Sequence, residues 1–253
     1  MNLGLKDTHI VVAGASRGIG LGIAHAFAKE EAQVWLAARG EHELDKTAAA
    51  LNNAPHTACD LTKSEGRLRL VEEINSEWGK LDTLILNLGG VTTNALNFES
   101  TDQEWLEMFQ LNFFAQTALI RDFKPLLSKS PNASIVAISS IVGETRLAAP
   151  LSYSTAKAAL NHLCGTSAKV LAEAGIRFNI VSPGNIVFEG GRWEQKMKTD
   201  TTAIKQMLDS TVPMKRFGTP AEIASFVVFL ASKQASFCTG TVIRVDGGQS
   251  PVT

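Results

Sequence analysis

Short runs of β-branched and aliphatic residues alternate along this chain with longer stretches in which apolar positions recur at helical spacing. That alternation is the pattern of repeated β-α-β units and of a parallel sheet. The runs predict strands at 9–13, 33–38, 56–58, 83–86, 134–138, 177–181 and 241–245. They are nearly continuous in apolar character, as strands covered by helices on both faces should be. Two helix starts are explicit. Thr101 with Glu104 fits a capping box ahead of Trp105, Met108 and Phe109, and Thr219, Pro220 and Glu222 supply an N-cap, a first-turn proline and the reciprocal acid. The segment 188–217 breaks the alternation, with Gly190 and Gly191 ahead of a polar helical stretch containing Met197, Ile204, Met207 and Leu208. It reads as an insertion over one end of the sheet. The expected fold is a doubly wound α/β domain of seven parallel strands spanning 1–253 as a single unit.

Composition narrows the picture. At 253 residues, 45% hydrophobic and 19% charged, the chain has ample material for one large core. Its 24 basic and 25 acidic residues leave no net field to attract nucleic acid or an anionic membrane, so neither partner is expected. No apolar stretch approaches the roughly 18 residues a membrane span requires. The run from Ile10 to Ala15 is too short for a secretion signal and is interrupted by Arg17, so a cytoplasmic location is expected. Cys59, Cys164 and Cys238 are widely spaced, without a Cys-x-x-Cys pair, and read as free thiols with no metal site.

The first strand runs directly into Gly14-Ala15-Ser16-Arg17-Gly18-Ile19-Gly20 and then into a helical pattern. Glycines in such a turn let the backbone approach a pyrophosphate, whose charge is stabilised by unpaired N–H groups and the helix macrodipole. The spacing is not that of the commonest dinucleotide fingerprint, and a glycine-rich turn without a ligand is the competing reading. The second strand ends at Ala37-Ala38-Arg39, where an NAD site needs a carboxylate. Arg39 together with Arg17 offers guanidinium contacts to a 2′-phosphate instead, which favours NADP(H), although Glu41 nearby offsets part of that charge.

Tyr153 is the only tyrosine, and Lys157 follows four residues later in a segment that reads as a helix after Pro150. The two share a face. An ammonium beside a phenol stabilises the phenolate and is expected to draw its pKa toward the working range, making acid–base catalysis feasible. Such a pair is otherwise common on helix surfaces. Ser140 ends the run 134–140 at the carboxyl edge of a strand, where open α/β sheets bind ligands, and Asn112 lies in an apolar helix beside Phe113 and Phe114. Taken alone, Ser140 reads as a strand-end cap and Asn112 as a satisfied core amide. The four together point to chemistry.

With these residues in place, and over essentially its whole length, the chain resembles the short-chain dehydrogenase/reductase family. Gly14, Gly18 and Gly20 match its glycine motif, Asp60-Leu61 its adenine-contacting pair, and Asn112, Ser140, Tyr153 and Lys157 its catalytic tetrad. Pro183-Gly184 matches the turn under the nicotinamide and Asp246-Gly247-Gly248 the close of the last strand. Within the family it is most similar to the bacterial 3-oxoacyl-[acyl-carrier-protein] reductase branch, including Met214-Lys215-Arg216-Phe217-Gly218-Thr219-Pro220. The resemblance implies a Rossmann-type sheet, a substrate lid at 188–217, a homotetramer, and an NADP(H) site that includes Ser16, Arg17, Ile19, Arg39, Asn87, Gly89 and Ile186. It implies transfer of the pro-S hydride of NADPH to a carbonyl while Tyr153 donates a proton and Ser140 holds the oxygen. Lys157 would lower the tyrosine pKa and bind the nicotinamide ribose, and Asn112 would hold a relay water. The substrate would be a small keto compound or an acyl thioester.

Two departures from the family pattern stand out. Asn87-Leu88-Gly89-Gly90 replaces Asn-Asn-Ala-Gly, and Phe188 replaces a threonine whose hydroxyl helps hold the nicotinamide amide, although Ile186 still offers its backbone N–H. Phe188 keeps open a second reading, an NADP(H)-binding sensor or scaffold without turnover. An enoyl reductase would want a lysine seven residues after the tyrosine, where this chain has Leu160.

Overall fold

The computed structural model describes residues 2–93 and 95–250. Its strands are β1 (His9–Ala13), β2 (Gln33–Ala38), β3 (His56–Ala58), β4 (Thr83–Leu86), β5 (Ala133–Ile138), β6 (Ile176–Pro183) and β7 (Val242–Val245). They form one parallel sheet in the order β3-β2-β1-β4-β5-β6-β7, the Rossmann-type arrangement. The helices are α1 (Gly18–Lys29), α2 (Glu41–Ala50), α3 (Ser64–Glu77), α4 (Asp102–Phe109), α5 (Ala115–Leu127), α6 (Leu151–Glu173), α7 (Arg192–Thr199), α8 (Thr201–Thr211) and α9 (Pro220–Ala231).

The apolar runs are explained by burial on two sides. Along β1, Ile10 and Val12 pack with Ile23 and Phe27 of α1 and Val227 of α9, while Val11 and Ala13 pack with Leu70 of α3, Phe123 of α5 and Leu160 of α6. Successive side chains leave a strand on opposite faces, so both faces must be apolar. Strand ends moved slightly from expectation. β6 extends from Ile176 to Pro183, and β7 begins one residue late because the Thr241 amide donates to the Asn179 side chain at 3.3 Å.

Both expected capping boxes are present, at Thr101/Glu104 and Thr219/Glu222. The polar stretch in 188–217 is two helices, not one. Asp200 breaks it with a φ of −152° and then accepts from the Ala203 amide at 2.8 Å, capping α8. Between α4 and α5 the helix widens into a π turn, Gln110–Phe114, which periodicity did not reveal. No helix among the described residues is long and apolar enough to cross a membrane, and no three metal-ligating side chains converge among them.

Strand order reverses between β1 and β4, which opens a crevice at their carboxyl ends. One flank of that crevice is held by a buried ion pair. Arg67 of α3 donates through Nε to Asp122 of α5 at 2.9 Å and through Nη1 to the Leu61 carbonyl at 3.3 Å, both charged side chains being at most 10% exposed. Removing one partner strands the other charge out of water. Asp122→Ala is expected to cost about 3 kcal/mol in urea denaturation. A loss below about 1 kcal/mol would mean that the pair behaves like an exposed one.

Candidate active site

The glycine turn follows from steric need. Gly14 has a φ of +89°, and a β-carbon there would lie 2.6 Å from the Asn87 carbonyl oxygen. At Gly20 it would lie 2.0 Å from the Gly14 carbonyl oxygen. Asn87, at the end of β4, donates its side-chain amide to that same Gly14 oxygen at 2.8 Å, locking the two loops at the switch point. Helix α1 starts at Gly18, and Arg17 ahead of it makes no side-chain cap. The first-turn N–H groups of Gly18, Ile19 and Gly20 therefore face the crevice without a capping acceptor, which is a seat for an anion.

Arg39 is exposed at the end of β2, and neither it nor Arg17 is ion-paired among the described residues. Glu41 does not neutralise it by contact. Asp60, beyond β3, is held below the usual carboxylate range: burial pushes it up, but the Thr62 hydroxyl and amide at 2.7 and 2.9 Å outweigh that, helped by Arg39. Leu61 is buried behind it. At the other side of the crevice Gly184 follows the end of β6, and a β-carbon there would meet Cβ of Asp246 at 2.8 Å. Ile186 sits in a short parallel bridge with Gly218 that uses the Val187 and Gly218 amides rather than its own.

The four candidate catalytic residues lie on three elements, and the sheet brings them together. Lys157, 2% exposed, donates through Nζ to the Ile138 carbonyl at the end of β5 at 2.9 Å. Its Nζ is 5.9 Å from the centroid of the Tyr153 ring, one helical turn away. Ser140 leaves β5 in extended conformation and lies close enough to the half-buried phenol to favour its ionised form. Asn112, fully buried in the π turn, donates to the carbonyls of Gly90 and Met108 at 2.9 Å each and accepts from the Gly90 amide at 3.0 Å. A β-carbon at Gly89 would lie 2.9 Å from both Asn112 Oδ1 and Lys157 Nζ. The small residue in this departure from the family pattern is what lets the amine and the amide approach. Gln116, which the sequence reading passed over, holds the same loop by donating to the Leu88 and Asn112 carbonyls at 2.8 and 3.0 Å.

The electrostatics differ from the sequence expectation. Burial raises the Tyr153 phenol above its ordinary value, against smaller opposing effects of Ser140 and of Arg192 from α7. Burial also lowers Lys157, to about 7. An amine that sheds its proton near neutrality stabilises a phenolate only weakly, so desolvation outweighs the attraction inferred from spacing. Phe188, where the family has threonine, puts its ring on the glycine turn: a β-carbon on Gly18 would lie 2.8 Å from Cε2 and Cζ of that ring.

Residues 14–250 match the family model described as enoyl-(acyl carrier protein) reductase. The chain belongs to the short-chain dehydrogenase/reductase family. An isoepoxydon dehydrogenase of Penicillium expansum is 34% identical, over 98% of this chain and 96% of its own length. A 3-oxoacyl-[acyl-carrier-protein] reductase of Thermotoga maritima is 31% identical over 96% of this chain and 98% of its own, so that branch is one of several similar ones. The crystal structure of L-sorbose reductase from Gluconobacter frateurii, complexed with NADPH and L-sorbose, superposes with a TM-score of 0.94 at 30% identity over the whole of both chains.

The Lys157 shift carries a pH signature. Between about pH 7 and 10.5 the unfolded chain holds a proton on this amine that the folded chain has released, so rising pH favours the fold. Relative to Lys157→Met, the natural chain is expected to gain stability by roughly 1 kcal/mol per pH unit between pH 7 and 10 in paired urea titrations. A gap that stays constant from pH 7 to 9 would show that the amine keeps its proton in the fold.

Proposed function

We propose that this protein transfers a hydride between NADP(H) and a carbonyl or secondary alcohol on a small substrate. The observation that carries the reading is the convergence of Ser140, Tyr153 and Lys157 beside an uncapped helix start that follows a glycine turn. NADPH, when bound, supplies the hydride. Ser16, Gly18, Ile19 and Gly20 would hold its pyrophosphate by backbone N–H groups, Gly14, whose own amide donates to the Ala37 carbonyl at 2.7 Å, would let the turn approach it, and Arg17 and Arg39 would take the 2′-phosphate. Asp60 and Leu61 would border the adenine, Asn87 and Gly89 the adjoining ribose, and Pro183, Gly184 and Ile186 the nicotinamide.

Tyr153 is the proton donor to the carbonyl oxygen and Ser140 the hydrogen-bonding partner that fixes it. Donors held at that point stabilise the charge developing in the transition state more than the ground state. A phenol kept protonated by burial suits the reducing direction. Lys157 binds the ribose and exchanges a proton near neutrality, consistent with its lowered value of about 7. The side chain of Asn112 is committed to Gly90 and Met108, so its role is to hold the Gly89–Gly90 loop under Lys157. Its main-chain carbonyl lies in the widened π turn, where the Gln116 side chain donates to it at 3.0 Å, and is the group we assign to the relay water.

A small keto or polyhydroxylated substrate is favoured over an acyl-carrier ester. Two of the lid cations are already engaged: Lys198 pairs with Glu194 at 3.2 Å, and Lys196 lies 5.1 Å from the Trp193 ring centroid. The whole-length likeness to isoepoxydon dehydrogenase and L-sorbose reductase points the same way. The lid role of 188–217 and assembly as a homotetramer belong to this reading, the latter supported by exposed Leu106, Phe114 and Val170 on the long helices.

A panel of ketones, keto sugars and acyl thioesters followed by NADPH absorbance tests the reading. Tyr153→Phe is expected to lower kcat by about 10²- to 10⁴-fold while NADPH binding survives. Turnover close to that of the natural chain would remove the phenol from the mechanism. Arg39→Asp is expected to weaken NADPH and spare NADH, and an unchanged preference in titrations of both would remove the 2′-phosphate assignment.

A further inference from the structure

The ring of Phe188 bridges two glycines that belong to different machinery. One is Gly18, the first residue of α1, where a β-carbon would lie 2.8 Å from Cε2 and Cζ and 3.0 Å from Cδ2 of the ring. The other is Gly191, the buried N-cap residue of α7, where it would lie 3.0 Å from Cε2 and 3.1 Å from Cδ2. A single aromatic edge thus rests on the helix start assigned to the pyrophosphate and on the start of the lid. The contact is apolar and is made at the first residue of the helix whose leading N–H groups are the candidate anion seat.

The backbone around the ring is anchored to the Gly218 segment on one side and to α7 on the other. Val187 donates its amide to the Gly218 carbonyl at 3.0 Å, anchoring the approach to Phe188. Beyond it, Gly190 has a φ of +71° and nothing within 4 Å of its β-carbon position, and among the described residues its backbone is tied only to α7, donating to Glu194 Oε2 at 2.9 Å and accepting from Gln195 Nε2 at 3.4 Å, so this turn and the first turn of α7 form one unit. Gly191 returns its amide to the Phe188 carbonyl at 3.0 Å, so ring and helix start are tied.

We propose that Phe188 sets the affinity for the dinucleotide: its ring stands in the approach to the α1 N-terminus, and binding turns it aside together with the first turn of α7. The proposal rests on the cofactor reading above. A closed conformer lowers apparent affinity by the fraction of molecules that are open, so removing the ring raises it. The effect falls chiefly on the pyrophosphate and nicotinamide half of the ligand, because the ring rests on Gly18 whereas Arg39, one of the two 2′-phosphate contacts, follows β2, the strand beyond β1.

Calorimetric titration with NADPH and with 2′,5′-ADP, which lacks the nicotinamide half, tests this. Phe188→Ala is expected to bind NADPH about tenfold tighter, with 2′,5′-ADP within about twofold of the natural chain. Phe188→Leu, which keeps apolar bulk but lacks Cε2 and Cζ, is expected to move the same way and serves if the alanine variant fails to fold. Amide exchange in 190–194 is expected to rise on adding NADPH to the natural chain and to be already raised in the variants without ligand. NADPH affinity unchanged or weakened in the folded variants, with 2′,5′-ADP binding intact, would overturn the proposal. Failure of the natural chain to bind either ligand would overturn the cofactor reading, and the proposal with it.

Discussion

An amine withdrawn from water at the end of β5 governs the arrangement of this site. Lys157 has a single hydrogen-bond acceptor, the Ile138 carbonyl, and no carboxylate partner among the described residues. Burying a lone ammonium is costly, and the group yields by giving up its proton near neutrality. The neighbours are shaped to tolerate that burial. Gly89 has no side chain because one would collide with the amine, Gly90 is pinned by Asn112, and Asn112 reaches that loop from a helix widened into a π turn. Such turns are local distortions that commonly accompany functional residues. Gln116 completes the clamp from the next turn.

The parallel sheet is what allows residues so far apart in sequence to share this environment. Every strand carries its carboxyl end to the same edge, and the reversal of order between β1 and β4 leaves room there for a ligand. The glycine turn leaves β1, Asn87 leaves β4, Ser140 leaves β5, and Pro183 closes β6. The Asn87–Gly14 hydrogen bond joins two of these exits, and the buried Arg67–Asp122 pair supports the Asp60–Leu61 corner from below. Positioning and stability therefore use the same contacts.

Over this edge lies the least buried part of the fold. α7 and α8 contribute no buried residue, and they are held chiefly by Trp193 against Phe217, 5.4 Å between ring centroids, and by the turn that carries Phe188. Segments with so few apolar contacts open at low free-energy cost. Of the basic residues there, Arg192 is the one that acts on the phenol. The 188–217 segment thus bears on both Tyr153 and the glycine turn.

The amino-acid sequence alone determined the strands, the two capping boxes, the glycine turn and the identity of the polar residues at the crevice. These follow from local rules: apolar periodicity, turn chemistry, and the N–H groups that a helix start leaves unpaired. Family motifs carried the rest of the assignment. Local rules did not reach the ionisation of Tyr153 and Lys157, because the spacing of four residues encodes proximity but not desolvation, which depends on what β5 and the 89–90 loop place around them. Nor did they reach the π turn, the break at Asp200 or the seat of Phe188 on Gly18. Those depend on contacts between segments more than 20 residues apart or on backbone geometry that apolar spacing does not specify, so only the folded chain could decide them.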